Sequence, residues 1–452
     1  MKKYVDPKFN ATSLRQHYAG EILNKHYNKT GENLLGSGVK ICRRVKAFNS
    51  QNPQTAQIAV TKQPNNSYTS NMYDVAHCGN AHVCAYCSAV KCKHLRDWLK
   101  EVHIPSVLAS GRVNGLLTLT AHHHRRSNWT THTEKFFKAI TLFRKTMRKH
   151  FELIGCDGRI QATEYPVGEN GMQLHIHDMF PYLEGADLEA LKEIIIKKWQ
   201  AALATQGLWC HSEYGVDIKK HGTFDPYYIA NEMSAHDTKQ NDKVADPDAD
   251  EHEPGDNLFK LLDKYSKGDK HAGEDWLRVA KAMQGRDRFN VGLLAHKLGN
   301  PSPSEWIKPV GEAKTEPSYI IEYPQSQHLT ATSLANQRPG LAMILRAARQ
   351  QLDGTRKVHT IVKRLCDETI SCTVATIKAK HAYKLADVLS TTREAEKPRV
   401  IAKYYSHCTF AIADYTAKTQ LYLNTKQSAP SVIPFVNTTG LHVKPREDLV
   451  FM

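Results

Sequence analysis

The stretch Gly171-Met-Gln-Leu-His175-Ile-His177-Asp-Met-Phe180 opens on a turn glycine and continues as a strand. Side chains two apart on a strand share a face, so His175 and His177 lie side by side while Ile176 turns into the core. That spacing offers two imidazoles to one divalent ion. Upstream, Arg159 to Val167 reads as a second strand, with Gly168-Glu-Asn-Gly171 as the turn between them. A hairpin centred near Glu169-Asn170 pairs positions whose numbers sum to about 339, which sets Glu164 across from His175. Glu164, His175 and His177 then form a two-His-one-carboxylate set with open positions for a phosphate oxygen. Asp178 is a poorer ligand because it points to the opposite face.

Regular patterning extends outward from this hairpin. Val113 to Thr120 is an apolar, Thr-rich strand. Thr131 and Glu134 have capping-box spacing and open a helix with Phe136, Phe137, Ile140, Phe143 and Met147 on one face. Asp187 caps a second amphipathic helix (Leu188, Leu191, Ile194, Ile195, Trp199), and Ser212 to Lys219 alternates as a fourth strand. The order β-α-β-β-α-β predicts an α+β core of the ferredoxin/RRM-like kind, an antiparallel sheet with two helices on one face. His122-His-His124 reads as an exposed polar exit from the first strand. A third helix is expected from Asp225-Pro226, with proline at its first position, and it carries Tyr227 and Tyr228.

The chain divides on these grounds into five parts. Residues 1–111 are a loop-rich N-terminal region holding a cysteine cluster, and 112–235 are the core. Residues 236–256 are an acidic connector of almost no apolar content, and 257–299 return to helical periodicity (Leu258, Leu261, Leu262, Trp276, Val279, Met283). Residues 300–452 carry no motif; they read as mainly helical, with a helical stretch near 340–365 and strand-like Ser318 to Tyr323.

The 452 residues carry a net charge of +15 with a pI near 9.2, which suits a polyanionic partner. Mean hydropathy is −0.51, and no run approaches the roughly 18 apolar residues of a membrane span. Met1-Lys-Lys is not followed by an apolar stretch, so a cytoplasmic protein is expected. Cys78-x5-Cys84-x2-Cys87 has the tight pair of a tetrahedral Zn²⁺ site, two residues letting both sulfurs reach one ion. Cys92, His77, His82 and His94 compete for the remaining place. Thiolate ligands leave no open position, so the role is structural. Lys91, Lys93, His94 and Arg96 beside it are candidate phosphate contacts. Cys156, Cys210, Cys366, Cys372 and Cys408 read as core thiols.

A metal beside a tyrosine points to phosphodiester chemistry: the ion withdraws charge from a phosphate, and a phenolate attacks phosphorus to give a phosphotyrosyl intermediate. Tyr228 is the candidate nucleophile and Tyr227 its alternative, since adjacent helical positions point about 100° apart.

Leu117-Thr-Leu-Thr120, the Glu164…His175-Ile-His177 hairpin and Tyr228-Ile-Ala-Asn-Glu-Met-Ser234 together resemble the HUH endonucleases. Within them, the chain is similar to the rolling-circle replication initiators (Rep proteins) of small bacterial plasmids, over roughly residues 40–300. The run from Leu258 to Arg286 resembles a helical segment those initiators carry after the nuclease core. The resemblance implies Mg²⁺ or Mn²⁺ at His175, His177 and Glu164, and nicking of one strand at a single-stranded or cruciform DNA origin. The 5′ phosphate stays on Tyr228, and the free 3′ hydroxyl primes a host polymerase, with a host helicase as a further partner. Glu232 or Asp225 would activate water at termination. It also implies Cys42 as the fourth zinc ligand with Cys78, Cys84 and Cys87.

Two positions depart from the family pattern. Asn231 stands where many initiators have a lysine one helical turn after the tyrosine, and Gln173 where many have a further histidine. Two other readings compete: a transposase or relaxase with the same chemistry, and a non-catalytic zinc-bearing DNA-binding regulator. The absence of a helicase P-loop after residue 300 argues against a large relaxase.

Overall fold

The computed structural model describes residues 11–34, 38–44, 54–62, 68–221, 256–291, 294–306, 319–333, 339–350 and 356–369, with a few isolated positions beyond and 432–434. Helix α1 (Ala11–Thr30) and the turn α2 (Gly38–Ile41) precede strands β1 (Thr55–Lys62) and β2 (Tyr68–Tyr73). Helix α3 (Ala85–Trp98) runs through a π-helical turn at Leu99–His103 into α4 (Ile104–Ala109). Next come β3 (Arg112–Thr120), α5 (Trp129–Leu153), β4 (Ile160–Glu164), β5 (Val167–Gly168), β6 (Gly171–Met172), β7 (His175–Leu183), α6 (Leu188–Ala204) and β8 (Val216–Lys219). They are followed by α7 (Leu258–Ser266), α8 (Lys270–Ala282), β9 (Phe289–Asn290), α9 (Leu294–Lys297), β10 (Tyr319–Pro324), α10 (Gln325–Ala331) and α11 (Gly340–Ala348). A helix over 356–369 and β11 (Val432–Pro434) complete the described elements.

The molecule is mixed α and β, and its sheets are antiparallel. One has the order β8-β3-β7-β4-β9, a second β11-β10-β1-β2, and β5-β6 form a third of two strands. In the first, β3-α5-β4-β7-α6-β8 run in chain order as β-α-β-β-α-β, with β3 and β7 at the centre. The hairpin register is constant from end to end: Glu164 pairs with His175, Val167 with Met172 and Gly168 with Gly171. The ladder is interrupted at Tyr165-Pro166, where proline has no N–H to give, so the predicted strand from Arg159 to Val167 is split in two.

Local physics accounts for two further departures. Asn128, not Thr131, caps α5, and its side chain accepts from Thr131 N–H at 3.0 Å. An Asn in extended conformation outcompetes a Thr already inside the first turn. The fourth strand begins at Val216, because Gly215 N–H bonds His211 O at 2.8 Å and closes a turn over 211–215. Asp187 does cap α6, accepting from the N–H groups of Glu189 and Ala190.

One face of the first sheet is covered by α5 and α6, whose Phe136, Ile140, Phe143, Met147, Ile195 and Trp199 bury against Leu117, Leu119, Ile176 and Phe180. The same core takes in α1, α7, α8 and the cysteine segment. Arg15 on α1 pairs with Asp263 on α7 at 2.6 Å. The lower half of the other face is buried under α3, the π-turn and residues 294–306, through Leu95, Trp98, Leu99, Leu294 and Trp306 on Leu116, Ile160 and Met179.

The packing cuts across the boundaries read from sequence. Strand β1, from the N-terminal region, pairs with β2 on one side and with β10, from the far side of the core, on the other, and this sheet buries against α11 and the 356–369 helix. The region 300–452 therefore contributes strands as well as helices. Asp256, assigned to the acidic connector, exchanges two 2.9 Å backbone hydrogen bonds with Val167 and pairs with Lys260 and Lys264. No helix among the described residues is long and apolar enough to cross a membrane.

Candidate functional site

Strand alternation sorts the sheet into two chemistries. Toward the helices, Asp178 is 1% exposed and pairs with Arg144 of α5 at 2.9 Å and with Arg159 at 3.5 Å. It is a buried partner of two arginines, in keeping with the expectation that it is the poorer ligand. On the opposite face, the rows Thr118–His177–Ala162 and Thr120–His175–Glu164 run across the three central strands.

His177 is held at both ring nitrogens. Its Nδ1 lies 3.0 Å from Thr118 Oγ1 and its Nε2 lies 3.3 Å from Glu164 Oε2. With hydrogen on Nε2, the ring donates to Glu164 and accepts from the Thr118 hydroxyl. With hydrogen on Nδ1, it donates to Thr118 and frees the Nε2 lone pair beside the carboxylate, the orientation a metal requires. The ring centroids of His175 and His177 are 6.1 Å apart. These three groups share one row-end of the sheet without being gathered to ligand distance.

Among the described residues, the set whose ligand atoms all lie within 4.8 Å of one another is Cys42, Cys78, Cys84 and Cys87. Sγ–Sγ distances are 3.6 Å for Cys42–Cys87, Cys78–Cys87 and Cys84–Cys42. A disulfide would need about 2.05 Å, whereas four sulfurs about 2.3 Å from one Zn²⁺ lie about 3.8 Å apart. The cluster could therefore bind a metal ion such as zinc. Hydrogen bonds from Cys42 and Cys78 hold the Cys87 thiol well below its ordinary range, and Cys84, donating toward Cys42, is held well above it. A bound dication would deprotonate all four. Four thiolates on Zn²⁺ leave a net charge of −2. Arg43, fully buried and stacked 4.2 Å over Tyr86, supplies an adjacent cation.

The four sulfurs come together through short elements. Cys42 follows α2, Cys84 caps α3 and Cys87 lies in its first turn. Gly38 lets Cys78 approach, since a Cβ there would meet the Cys78 Cβ at 3.3 Å. The rival ligands are engaged elsewhere. Cys92 lies 3.9 Å from Ser88 Oγ, His94 contacts Pro303 O at 2.6 Å, and His77 packs on Tyr86.

His82 carries a connection that sequence reasoning missed. Its Nε2 lies 3.0 Å from Arg286 O, and a carbonyl can only accept, so Nε2 bears the hydrogen. Nδ1 then accepts from Tyr165 O–H at 2.9 Å. Tyr165 is the residue after Glu164, so the cysteine loop is fastened to the strand end that carries the carboxylate.

Tyr227, Tyr228, Asn231, Glu232 and Asp225 lie outside the described residues. His122 stacks on Trp209 beyond the end of β3. No protein-family model, curated protein or solved structure matches the chain.

Proposed function

We propose that the chain is a metal-dependent, sequence-specific single-strand DNA nickase and strand-transferase of the HUH class, acting as a rolling-circle plasmid replication initiator. The observation that carries this reading is the pairing of Glu164 with His175 on adjacent strands, with His177 held between Glu164 and Thr118. The spatial order β8-β3-β7-β4 supports it, since a β-α-β-β-α-β chain of the ferredoxin-like kind arranges its strands in this way. So does the net charge of +15.

A Mg²⁺ or Mn²⁺ ion would supply charge withdrawal from the scissile phosphate. His175, His177 and Glu164 are the side chains that would hold it. Thr118, by accepting from Nδ1–H, fixes the His177 tautomer. Tyr228 is the nucleophile: its oxygen bonds to phosphorus as the bond to the 3′ oxygen breaks, leaving a 5′ phosphotyrosine and a 3′ hydroxyl. Glu232 is the candidate base for the terminating step. A zinc ion at Cys42, Cys78, Cys84 and Cys87 has a structural part.

Full-length protein with Mn²⁺ and single strands tiled across its replicon is expected to form a DNA adduct that survives SDS. Tyr228→Phe abolishes the adduct, and His175→Ala or His177→Ala lowers its rate by roughly 100-fold or more. An adduct formed by the Tyr228→Phe chain would remove Tyr228 from the reaction. DNA binding with no adduct under any condition would favour the zinc-bearing regulator.

A further inference from the structure

Beyond Thr120 the face that carries the histidine pair continues as an exposed aromatic shelf. Leu117, Leu119 and Ala121 are buried on the helix side, so Thr118, Thr120 and His122 share the side of His175 and His177. His122 N–H donates to Trp209 O at 2.8 Å, and the two rings stack with centroids 4.1 Å apart and planes 16° from parallel. Trp209 is 55% exposed and Tyr214 is 76% exposed, the latter packing on His211 at 5.1 Å. Gly215 is required by the turn that lifts Tyr214, because a Cβ there would collide with the Cys210 thiol. Thr120, the last residue of β3, is the register partner of His175, so His122 stands two residues past that strand end.

The other five tryptophans (Trp98, Trp129, Trp199, Trp276 and Trp306) are buried. A single exposed indole is ordinary; one stacked on an exposed imidazole, with a second, tilted pair of exposed rings nearby in sequence, is not. One cation stands on the flank: Lys135 Nζ reaches to 4.0 Å of the Cβ position at Gly207. Glu213 and Asp217 are acidic and belong to the β8 side, so the cationic approach runs over the His122–Lys135 side.

We infer that Trp209 and His122, with Tyr214 beside them, form a base-stacking shelf for single-stranded DNA beside the His175–His177 end of the sheet. The inference rests on the nickase reading for its ligand class. Flat exposed rings with a lysine on their flank, on a chain of net charge +15, match a polyanion with unpaired bases, which offers π-faces that a duplex keeps stacked inside itself.

Because the other indoles are buried, the fluorescence of Trp209 reports on the shelf. The full-length protein is titrated, without added metal, with an oligothymidylate of roughly 12 nucleotides. Binding quenches the tryptophan emission, and Trp209→Phe removes the quench while retaining affinity. Trp209→Ala weakens binding roughly 5- to 100-fold, read from the anisotropy of a labelled strand. Unchanged affinity in Trp209→Ala, or equal binding and quenching by an abasic strand of the same length, overturns the shelf. Stacking without any SDS-resistant adduct on replicon DNA leaves the shelf standing and removes the nickase; an adduct without stacking does the reverse.

Discussion

His82 is an imidazole that the fold keeps neutral. Burial, with the Arg288 charge beside it, lowers its pKa to about 3, and burial lowers that of His103 to about 4. In the unfolded chain each takes a proton near pH 6.5. The folded values are depressed, so this stabilisation is complete above about pH 6.5 and is lost as pH falls toward 3 to 4. By pH 5 the loss is about 2 kcal/mol for each residue. Thermal unfolding at pH 7 and pH 5 should therefore show a clearly lower Tm in acid. An unchanged Tm would mean that these rings accept protons in the folded state. Asp178, buried as deeply, pairs instead with Arg144. Its partner is 34 residues away on a helix, beyond the reach of strand periodicity.

At the level of elements, the hairpin β4–β7 is anchored by the cysteine loop through the Tyr165–His82 hydrogen bond. Tyr165→Phe keeps the ring's volume and removes only the O–H. It leaves the buried Nδ1 of His82 without its donor, a loss of roughly 1–3 kcal/mol. Under the proposed function, Glu164 loses its fixed position as well, and the adduct rate should fall about tenfold with DNA affinity unchanged. Equal adduct rates in Tyr165→Phe and wild type would show that the loop does not position the carboxylate.

For the whole molecule, the cysteine cluster ties α1, the sheet and helices α5 to α8 into one core. The full-length chain should contain one zinc per molecule by elemental analysis. Cys87→Ser, or removal of the ion by a chelator, should lower Tm by roughly 10 °C and expose hydrophobic surface to a dye. A metal-free chain with wild-type Tm would reduce the cluster to four packed thiols. The second sheet shows why the sequential division did not survive: β1 needs β10 for a partner, and the two lie more than 250 residues apart.

The sequence by itself determined whatever obeys a local period. Strand alternation and a turn bounded by Gly168 and Gly171 set the hairpin register, and with it Glu164 opposite His175. The buried stripe of α5 and the Asp187 cap of α6 were legible for the same reason, since helical spacing and a capping side chain act within a few residues. The tight spacing of Cys84 and Cys87 marked a metal site, but spacing alone left its remaining ligand open among Cys92 and three histidines. Tertiary structure decided that point, because α2 and α3 both pack on α1 and so set Cys42 beside Cys87. It also decided that Asn128 caps α5, that Tyr165 meets His82, that Trp209 covers His122, and that the ends of the chain share a sheet. Each of these joins residues through distances that no local periodicity encodes. Their energy comes from burial and from satisfying polar groups once the chain has folded.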